Sequence, residues 1–410
     1  MGKNVADLYN FAGDSSAVEQ RFYAKLESTR GQLQAPVGAD FFFTLAGGSV
    51  EFQQPYEVSP HRSGRHNNNI IKKKKETTFS FSTYFNINES LGSFSAAEID
   101  TATKLLWKSL LGKETVGGSS IAYQATTPDL TFSLYEVGDR WARQTPGAFV
   151  MGGNVQLPGN GEATVEWSGN GKTVYYAGIG KSTIDNDGAN TVTLQSGEGE
   201  LFDVGAIVML VESDGLTRSA DTPDGSPRTI TAINGDVITL SGAALADADG
   251  SVTPLYLSYY EPATPVAIDN PVTGLTGSMT VAGLTHDCFR NFGLNIQNNH
   301  ELVDYCYGSD SLAGSLFVPG ARVNMEVTLE MNLNKETLKF FNRVKSFEAQ
   351  DLLAVLGAAS GRRAEFDLPK VIFNVPSFAV PETGSIPVTF TGTAFQTALD
   401  AGDELTVSFK

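Results

Sequence analysis

One segment in the last third of the chain constrains the fold more than any other. From Arg322 to Leu333, polar and apolar side chains alternate without interruption. Side chains of a β-strand point alternately to its two faces, so this period predicts a strand with one packed face and one solvated face. The segment is about twice as long as the ~5–6 residues of a typical strand. Its polar members are Arg322, Asn324, Glu326, Thr328, Glu330 and Asn332.

A second segment, Glu76–Asn88, alternates in the same way. Phe79, Phe81 and Phe85 fall on one face. Together with a first strand at Asp40–Gln54, this segment predicts a hairpin with a long loop. The opposite, polar face is formed by Thr78, Ser80, Ser82, Tyr84 and Asn86.

Two helices are predicted, one after each long strand. Ser95 and Glu98 form a capping box before apolar residues at helical spacing, and Gly112 is a natural stop. A second helix begins after Asn334. Its predicted inward residues are Leu338, Phe341 and Val344. The two halves therefore share an outline that suggests an internal duplication, although residue identity between them is low.

Residues 173–263 differ in character from the rest of the chain. Short β-rich stretches alternate there with Gly, Asp and Pro, and Asn234-Gly235 indicates a two-residue hairpin turn. This segment carries 13 acidic and 3 basic residues, against 33 and 26 elsewhere. We predict a mainly β chain in three parts. They are an N-terminal arm over 1–38 with a short helix around Ser16–Ser28, a β-sandwich or barrel domain with flanking helices over 39–172 and 264–410, and an inserted small acidic β-barrel or sandwich over 173–263.

Composition narrows the functional classes. The net charge of −17 argues against a tightly held nucleic acid. Only 18% of residues are charged, below the ~25% of typical soluble domains, which favours surfaces buried between subunits. No apolar run approaches the ~20 residues of a membrane helix, and the N-terminus lacks a secretory signal. We therefore expect a protein made in a cytoplasm, with Cys288 and Cys306 reduced.

Motifs for catalysis and metal binding are incomplete. Gly169–Thr173 resembles the end of a phosphate-binding loop, but Glu166 stands where the first glycine is required, so a plain β-turn is favoured. Asp185–Gly188 and Asp247–Gly250 lack the first and closing ligands of a calcium loop, which leaves at most a weak surface cation site. His286 and Cys288 are too few for a zinc site. We predict no enzyme, no cofactor and no metal.

One basic cluster lies in the loop between the first two predicted strands. No aromatic residues are interleaved with it, which argues against base stacking. It is either a solvated loop or a contact with an acidic surface of a neighbouring subunit, and the second interpretation suits the chain better because opposite charges fix the register of two partners. The cluster consists of His61, Arg62, Arg65, His66, Lys72, Lys73, Lys74 and Lys75.

Three stretches, Gly47–Phe52, Ser59–His66 and Lys72–Phe81, resemble the major tail tube proteins of siphophage-type, long-tailed bacteriophages. The run Gly283–Tyr307 and the strand at 321–333 are similar to the same family. The similarity covers residues 38–168 and 264–410 and leaves the insertion uncovered.

The resemblance implies a structural virion protein that forms stacked hexameric rings around a channel for DNA. Its partners would be further copies of itself and other tail proteins, namely the tape measure, tail tip and terminator proteins. Genomic DNA would be a transient occupant of the channel, and no membrane would be involved. The protein would be assembled in the host cytoplasm and reside in the phage tail, with the insertion on the exterior.

Long alternating strands with unpaired edges aggregate unless a sheet closes around them. We therefore expect the two long strands to pair with adjacent copies, so that their eleven polar residues named above line the channel. The opposite assignment, with the polar side outward, is the alternative. Another virion assembly protein, such as a head decoration or tail-tip component, is the second candidate, and a glycan-binding surface protein is the third.

Overall fold

The computed structural model describes residues 4–10, 14–60, 69–88, 99–127, 130–183, 190–212, 215–216, 227–242, 245, 256–262, 264–273, 277–285, 289–303, 317–319, 323–357 and 362–410. Half of the chain lies in strands and 11% in helices, which confirms the predicted mainly β class. The α-helices in these ranges are α1 (Val5–Asn10), α2 (Thr101–Leu111) and α3 (Lys335–Lys345).

The strands fall into three groups along the chain. The first group contains β1 (Arg21–Leu26), β2 (Phe41–Phe42), β3 (Ser49–Gln53), β4 (Tyr56–Val58), β5 (Ile70–Lys72), β6 (Glu76–Tyr84), β7 (Gly112–Val116), β8 (Ile121–Ala125), β9 (Phe132–Val137), β10 (Ala142–Pro158), β11 (Thr164–Gly171) and β12 (Tyr175–Ala177). The second contains β13 (Ile179–Lys181), β14 (Thr191–Thr193), β15 (Ile207–Val211), β16 (Arg228–Asn234), β17 (Val237–Leu240) and β18 (Tyr256–Tyr259). The third contains β19 (Ser278–Val281), β20 (Leu284–Thr285), β21 (Phe289–Gln297), β22 (His300–Leu302), β23 (Phe317–Pro319), β24 (Asn324–Asn332), β25 (Gln350–Leu356), β26 (Ala364–Phe373), β27 (Pro387–Ala394) and β28 (Thr406–Phe409).

Eight strands of the first and third groups form one row of antiparallel pairs in the order β3-β6-β11-β10-β21-β24-β27-β26. We call this row the main sheet. The 17-residue strand β10 leaves it at its N-terminal half, where it pairs instead with β9 and β12. In the same way β26 pairs with β25 and β28 before it joins the main sheet. The strands that pair with these two N-terminal halves build the second layer of the sandwich.

The two halves of the chain have the same topology, as their shared outline in the sequence suggests. The orders β3-β6-β11-β10 and β21-β24-β27-β26 correspond strand by strand, and a two-stranded hairpin (β4–β5 or β22–β23) interrupts each half at the same point. Lengths also agree: β6 and β24 have 9 residues each, β11 and β27 have 8, and α2 and α3 have 11. We call these halves repeat 1 and repeat 2. They meet where β10 pairs with β21.

The core between the layers is apolar and aromatic. The Trp107 and Trp167 rings meet edge to face, 5.0 Å apart, and the Trp167 Nε1–H donates to Thr83 Oγ1 at 2.9 Å. Helix α2 enters this core and ends at Gly112, whose φ of 92° suits a residue without Cβ. Helix α3 is capped by Asn334 Oδ1, which accepts from the Thr337 N–H at 2.8 Å, as predicted. Burial of aromatic surface on this scale dominates the stability of the sandwich.

The second group of strands forms its own six-stranded sheet, in the order β13-β18-β15-β16-β17-β14. Backbone hydrogen bonds from Thr183 N to Thr193 O and from Gln195 N to Lys181 O bring its two ends together. The apolar core of this insertion is shared with the second layer, since Tyr23 and Tyr135 belong to it. A further link is the side chain of Gln144 on β10, which is fully buried and makes two hydrogen bonds to the backbone of Ile207, at 2.6 and 2.7 Å.

Three local predictions are wrong in whole or in part. In the segment around Ser16–Ser28 only the three-residue 3₁₀ helix Ala17–Glu19 is helical, and strand β1 follows it, because Phe22 and Ala24 alternate with Tyr23 between two cores. In α3 the buried residues are Thr337, Phe340 and Val344, while Leu338 is half exposed and Phe341 partly buried, because the core face is rotated toward Phe340. The insertion's hairpin turn is formed by Gly235-Asp236 rather than Asn234-Gly235, with Asp236 Oδ1 accepting from the Gly197 and Gly199 N–H groups.

The prediction about strand edges is also wrong. Both edges of β6 are paired within the chain, with β3 and β11, and both edges of β24 are paired with β21 and β27. The long alternating strands are central because an apolar face of this length is covered best in the middle of a sandwich. The ends of the main sheet lie instead at β3 and at β26.

Candidate functional site

The candidate site is one face of the main sheet. Residues paired across adjacent antiparallel strands point to the same face, so the register connects distant parts of the chain. One row of partners runs Ser80, Ser168, Gly152, Gln297, Asn324. The next row runs Ser82, Glu166, Asn154, Asn295, Glu326, Thr393. The polar sides of β6 and β24 are therefore parts of a single surface, although three strands separate them.

We call this surface the polar face. Its residues in the main sheet are Ser49, Glu51, Gln53, Glu76, Thr78, Ser80, Ser82, Tyr84, Asn154, Gln156, Thr164, Glu166, Ser168, Asn170, Asn291, Asn295, Gln297, Asn324, Glu326, Thr328, Glu330, Asn332, Thr389, Thr391 and Thr393. The other face packs into the core through residues such as Phe79, Trp167, Val327 and Phe390. The structure thus brings together nine of the eleven residues predicted to line a channel.

The other two predicted residues do not support the assignment. Asn86 is 7% exposed and forms an isolated bridge with Pro271 beyond the end of β6, so it is not on the polar face. The alternation fails there because the strand has ended at Tyr84. Arg322 lies outside the described residues.

Amide and hydroxyl groups dominate the polar face. Gln156 Nε2 donates to Asn154 Oδ1 at 2.9 Å, and Gln297 Nε2 donates to Asn295 Oδ1 at 2.9 Å. These side chains satisfy one another along the strands. The ionised groups in the set above are glutamates, and Arg290, at a bulge of β21, lies 3.5 Å from Glu330 Oε1. The surface is thus hydrophilic and neutral to acidic, and it offers few ligands for phosphate.

Sequence reasoning did not assign β10, β11, β21 and β27 to the polar face. The alternation of β11 and β27 is visible in Thr164–Gly171 and Pro387–Ala394, and could have placed them. In β10, adjacent Gly152 and Gly153 and a bulge next to Val150 hide the period. In β21 the bulge at Arg290 does the same.

The basic loop is described only in part. Lys72 ends β5 and is exposed, and Lys73 Nζ lies 3.3 Å from Glu57 Oε2 on the paired strand β4. His61, Arg62, Arg65 and His66 lie outside the described residues. The hairpin β4–β5 is exposed along its whole length, including Tyr56 and Ile70.

The prediction of a plain β-turn at Gly169–Thr173 is wrong. Gly169 and Gly171 lie inside β11. A Cβ at Gly169 would approach Phe149 O to 2.2 Å and the Phe79 ring to 2.3 Å, so close packing requires this glycine. Both acidic turns, His286 and the two cysteines fall outside the described residues. In the part that is described, no group of three or more His, Cys, Asp or Glu side chains could hold a metal ion, and no helix is long and apolar enough to cross a membrane.

Comparison with known proteins adds no assignment. No family model matches the chain, and no curated protein matches it. A functional conclusion therefore depends on the geometry of the polar face and on the layers behind it.

Proposed function

We propose that this chain is the repeating structural subunit of a phage tail tube, with the polar face lining a channel for DNA. The observation that carries the proposal is the extent of that face. Seven adjacent strands, from β3 to β27, present hydroxyl, amide and glutamate side chains on one side and a continuous core on the other. A soluble sandwich needs one solvated face on each sheet, but a wall around water needs a wide and uninterrupted one.

The chemistry of the polar face suits a passage for DNA rather than a binding site. Tight binding to DNA requires lysine and arginine side chains that displace counterions from phosphates. The polar face carries Glu51, Glu76, Glu166, Glu326 and Glu330 instead. Weak repulsion from these carboxylates would keep DNA off the wall and let it slide.

The order of layers supports an exterior position for the insertion. From the polar face outward come the main sheet, the aromatic core, the second layer with β1 and β9, and then the core that Tyr23 and Tyr135 share with the insertion. If the polar face surrounds a channel, the insertion is on the outside of the tube.

Closure of the wall must use the ends of the main sheet, since β6 and β24 are already paired on both sides. Copies would be joined side to side in rings, and the rings stacked. The partners of such a ring would be further copies, the tape measure, tail-tip and terminator proteins, and DNA in transit.

Electron microscopy of the purified protein tests the assembly directly. A tube subunit should give rings or long hollow fibres. A chain that stays monomeric at high concentration, and also when a tail-tip complex is added, would contradict the proposal and favour a head decoration. Binding of the chain to a glycan array would favour a surface lectin.

Labelling of engineered cysteines tests which face lines the channel. Ser80→Cys and Glu326→Cys place thiols on the polar face of the two repeats. In assembled tubes both should resist a bulky thiol reagent, whereas in the free chain both should react. Thr231→Cys is the matched control, because its side chain is exposed on the insertion and should react in both states. Rapid labelling of Ser80→Cys in intact tubes would place the polar face outside.

A further inference from the structure

The contact between the two repeats is a junction of two elements. Strand β21 pairs with β10, beginning at Gly152 opposite Gln297. The hairpin β22–β23 then packs on the same strand: the His300 ring lies 6.3 Å from the Phe149 ring, Leu302 packs against Phe149, and Asn298 N donates to Met151 O at 2.8 Å. Repeat 2 therefore attaches to repeat 1 through an edge strand and a hairpin.

Within the described residues, the same two elements of repeat 1 lack an equivalent strand partner. Gln53 corresponds to Gln297, because each precedes its hairpin by the same distance. In the described part of the chain, β3 has β6 as its only strand partner. Tyr56 corresponds to His300, yet Tyr56 is 65% exposed and His300 only 8%. The apolar residues of this hairpin, uncovered in the same way, are Val58, Ile70 and Ile71.

The matching surface of repeat 2 is uncovered as well. Asn374 corresponds to Gly152, because Asn374 N donates to Thr391 O at 2.7 Å where Gly152 pairs with Ser168 of the equivalent strand. After Asn374 the chain leaves the sheet at Pro376, which has no N–H to donate to β27. The large exposed apolar side chains between Phe373 and β27 are Val375, Phe378 and Val380.

We infer that copies of this chain join head to tail through a repetition of the internal junction. Strand β3 of one copy pairs antiparallel with the segment that begins at Asn374 of the next, with Gln53 opposite Asn374. The hairpin β4–β5 of the first copy then covers Ile372 of the second, which occupies the place of Phe149. A heterologous contact of this kind closes a ring when its rotation is repeated. The inference rests on the proposed function and names the surfaces that build the wall.

A second feature fits this contact. In the free chain, Val50 N donates to Glu136 Oε2 at 3.2 Å, and Val50 O accepts from Arg143 Nη1 at 2.6 Å, on the edge of β3 away from β6. Polar side chains on an edge strand protect it from unwanted pairing. The residues of repeat 2 that correspond to Glu136 and Arg143 are the apolar Ala354 and Phe366, which pair with each other at the same distance from the register shift. The corresponding edge of β21 is paired with β10. Glu136 and Arg143 thus cover the backbone of β3 on the edge that would pair with another copy.

Disulfide trapping tests the register. The double variant Gln53→Cys, Asn374→Cys places thiols at opposite ends of the main sheet, so only neighbouring copies can be linked. A pair of antiparallel residues has Cα atoms about 4.5–5.5 Å apart, within the range of a disulfide. Gln53→Cys with Val375→Cys is the matched control. Val375 is exposed, but as the residue after Asn374 in an extended segment it points to the opposite face of the sheet from Gln53. We expect covalent oligomers at least about tenfold more abundant for Asn374→Cys than for the control.

A second pair of variants tests the hairpin. Tyr56→Asp removes an exposed apolar side chain from the proposed contact and should abolish ring formation while the free chain stays folded by circular dichroism. Val237→Asp, on the exposed side of a hairpin in the insertion, should assemble as the unchanged chain does.

The outcomes separate this inference from the tube proposal. Suppose that rings or tubes form, that Gln53→Cys with Asn374→Cys gives no more covalent oligomer than its control, and that Tyr56→Asp still assembles. The proposed junction is then wrong, and the tube proposal stands. If the unchanged protein forms no ring or fibre and the double-cysteine variant forms no disulfide-linked oligomer, the junction and the tube proposal are both wrong.

Discussion

At the scale of single residues, Asp100 has the clearest titration behaviour. Its carboxylate precedes α2, accepts from the Ile268 N–H at 2.8 Å and is 7% exposed. Burial raises the pKa of Asp100 to about 6, against 3.8 for the unperturbed side chain. The folded chain therefore binds this proton more tightly than the unfolded chain does.

The sign of the resulting pH dependence follows directly. The contribution of protonated Asp100 to the free energy of unfolding is complete below about pH 4 and is lost as pH rises to about 6, by at most about 3 kcal/mol. Asp100→Asn keeps an oxygen acceptor and does not titrate, so its stability should change less across this window. Urea unfolding at pH 4 and pH 7 measures the difference between the two proteins. An equal change in the free energy of unfolding between pH 4 and pH 7 for the unchanged protein and for Asp100→Asn would contradict the prediction.

Single positions were the hardest to predict from the sequence. Alternation predicted that Asn86 shares a face with Tyr84, but the strand ends first and Asn86 is buried. Helical spacing predicted Leu338 and Phe341 as inward residues, whereas Phe340 is the buried one. Both errors have one physical cause: periodicity gives the relative orientation of neighbours, but the position of the core and the end of an element are decided by distant contacts.

At the scale of elements, the two faces of β6 should respond differently to charge. Ser80 is exposed on the polar face, and Phe81 is 2% exposed within an aromatic cluster that includes Phe22 and Phe42. Ser80→Asp should change the free energy of unfolding by no more than about 0.5 kcal/mol, because a solvated charge loses little hydration. Phe81→Asp buries an unpaired carboxylate and should cost more than about 4 kcal/mol.

Chemical denaturation of the free chain measures both effects. A large loss of stability for Ser80→Asp alone would mean that the polar face is packed rather than solvated. The alternation of this strand was enough to predict the contrast. Its central position was not predictable, because pairing partners such as β3 and β11 are set by the whole topology.

At the scale of the whole molecule, Gln144 couples the insertion to the sandwich. Its buried amide satisfies both the N–H and the C=O of Ile207. Gln144→Ala should leave two buried backbone groups without partners and cost about 2–4 kcal/mol, because each loses its hydrogen bond without regaining water. Gln156→Ala, at a solvated position on the same strand, should cost less than about 1 kcal/mol. Thermal unfolding of both variants checks this; similar losses would mean that the insertion is only loosely attached.

The internal repeat also changes the expected number of chains in a ring. The resemblance implies six subunits in a ring. Since each chain contributes two repeats to the proposed wall, three chains would supply six such units, and we predict three chains per ring. Three chains supply about 24 strands, which at a spacing of ~4.8 Å and a tilt of ~40° enclose a backbone cylinder about 48 Å wide. Six chains would double this width to about 96 Å. Native mass spectrometry of isolated rings and the symmetry of their image averages measure the count, and six chains per ring would contradict the prediction.

Fusion of two wall units into one polypeptide has a consequence for the outside of such a ring. The insertion lies between repeat 1 and repeat 2, so each chain of such a ring would carry this acidic unit on its outside. Each insertion carries 13 acidic and 3 basic residues. The four main-sheet strands of repeat 2 would lie between the insertions of neighbouring chains, which sets these insertions further apart than the ~8 Å over which salt screens charge in physiological solution. Repulsion between the acidic insertions would then be screened and would not destabilise the ring that carries them.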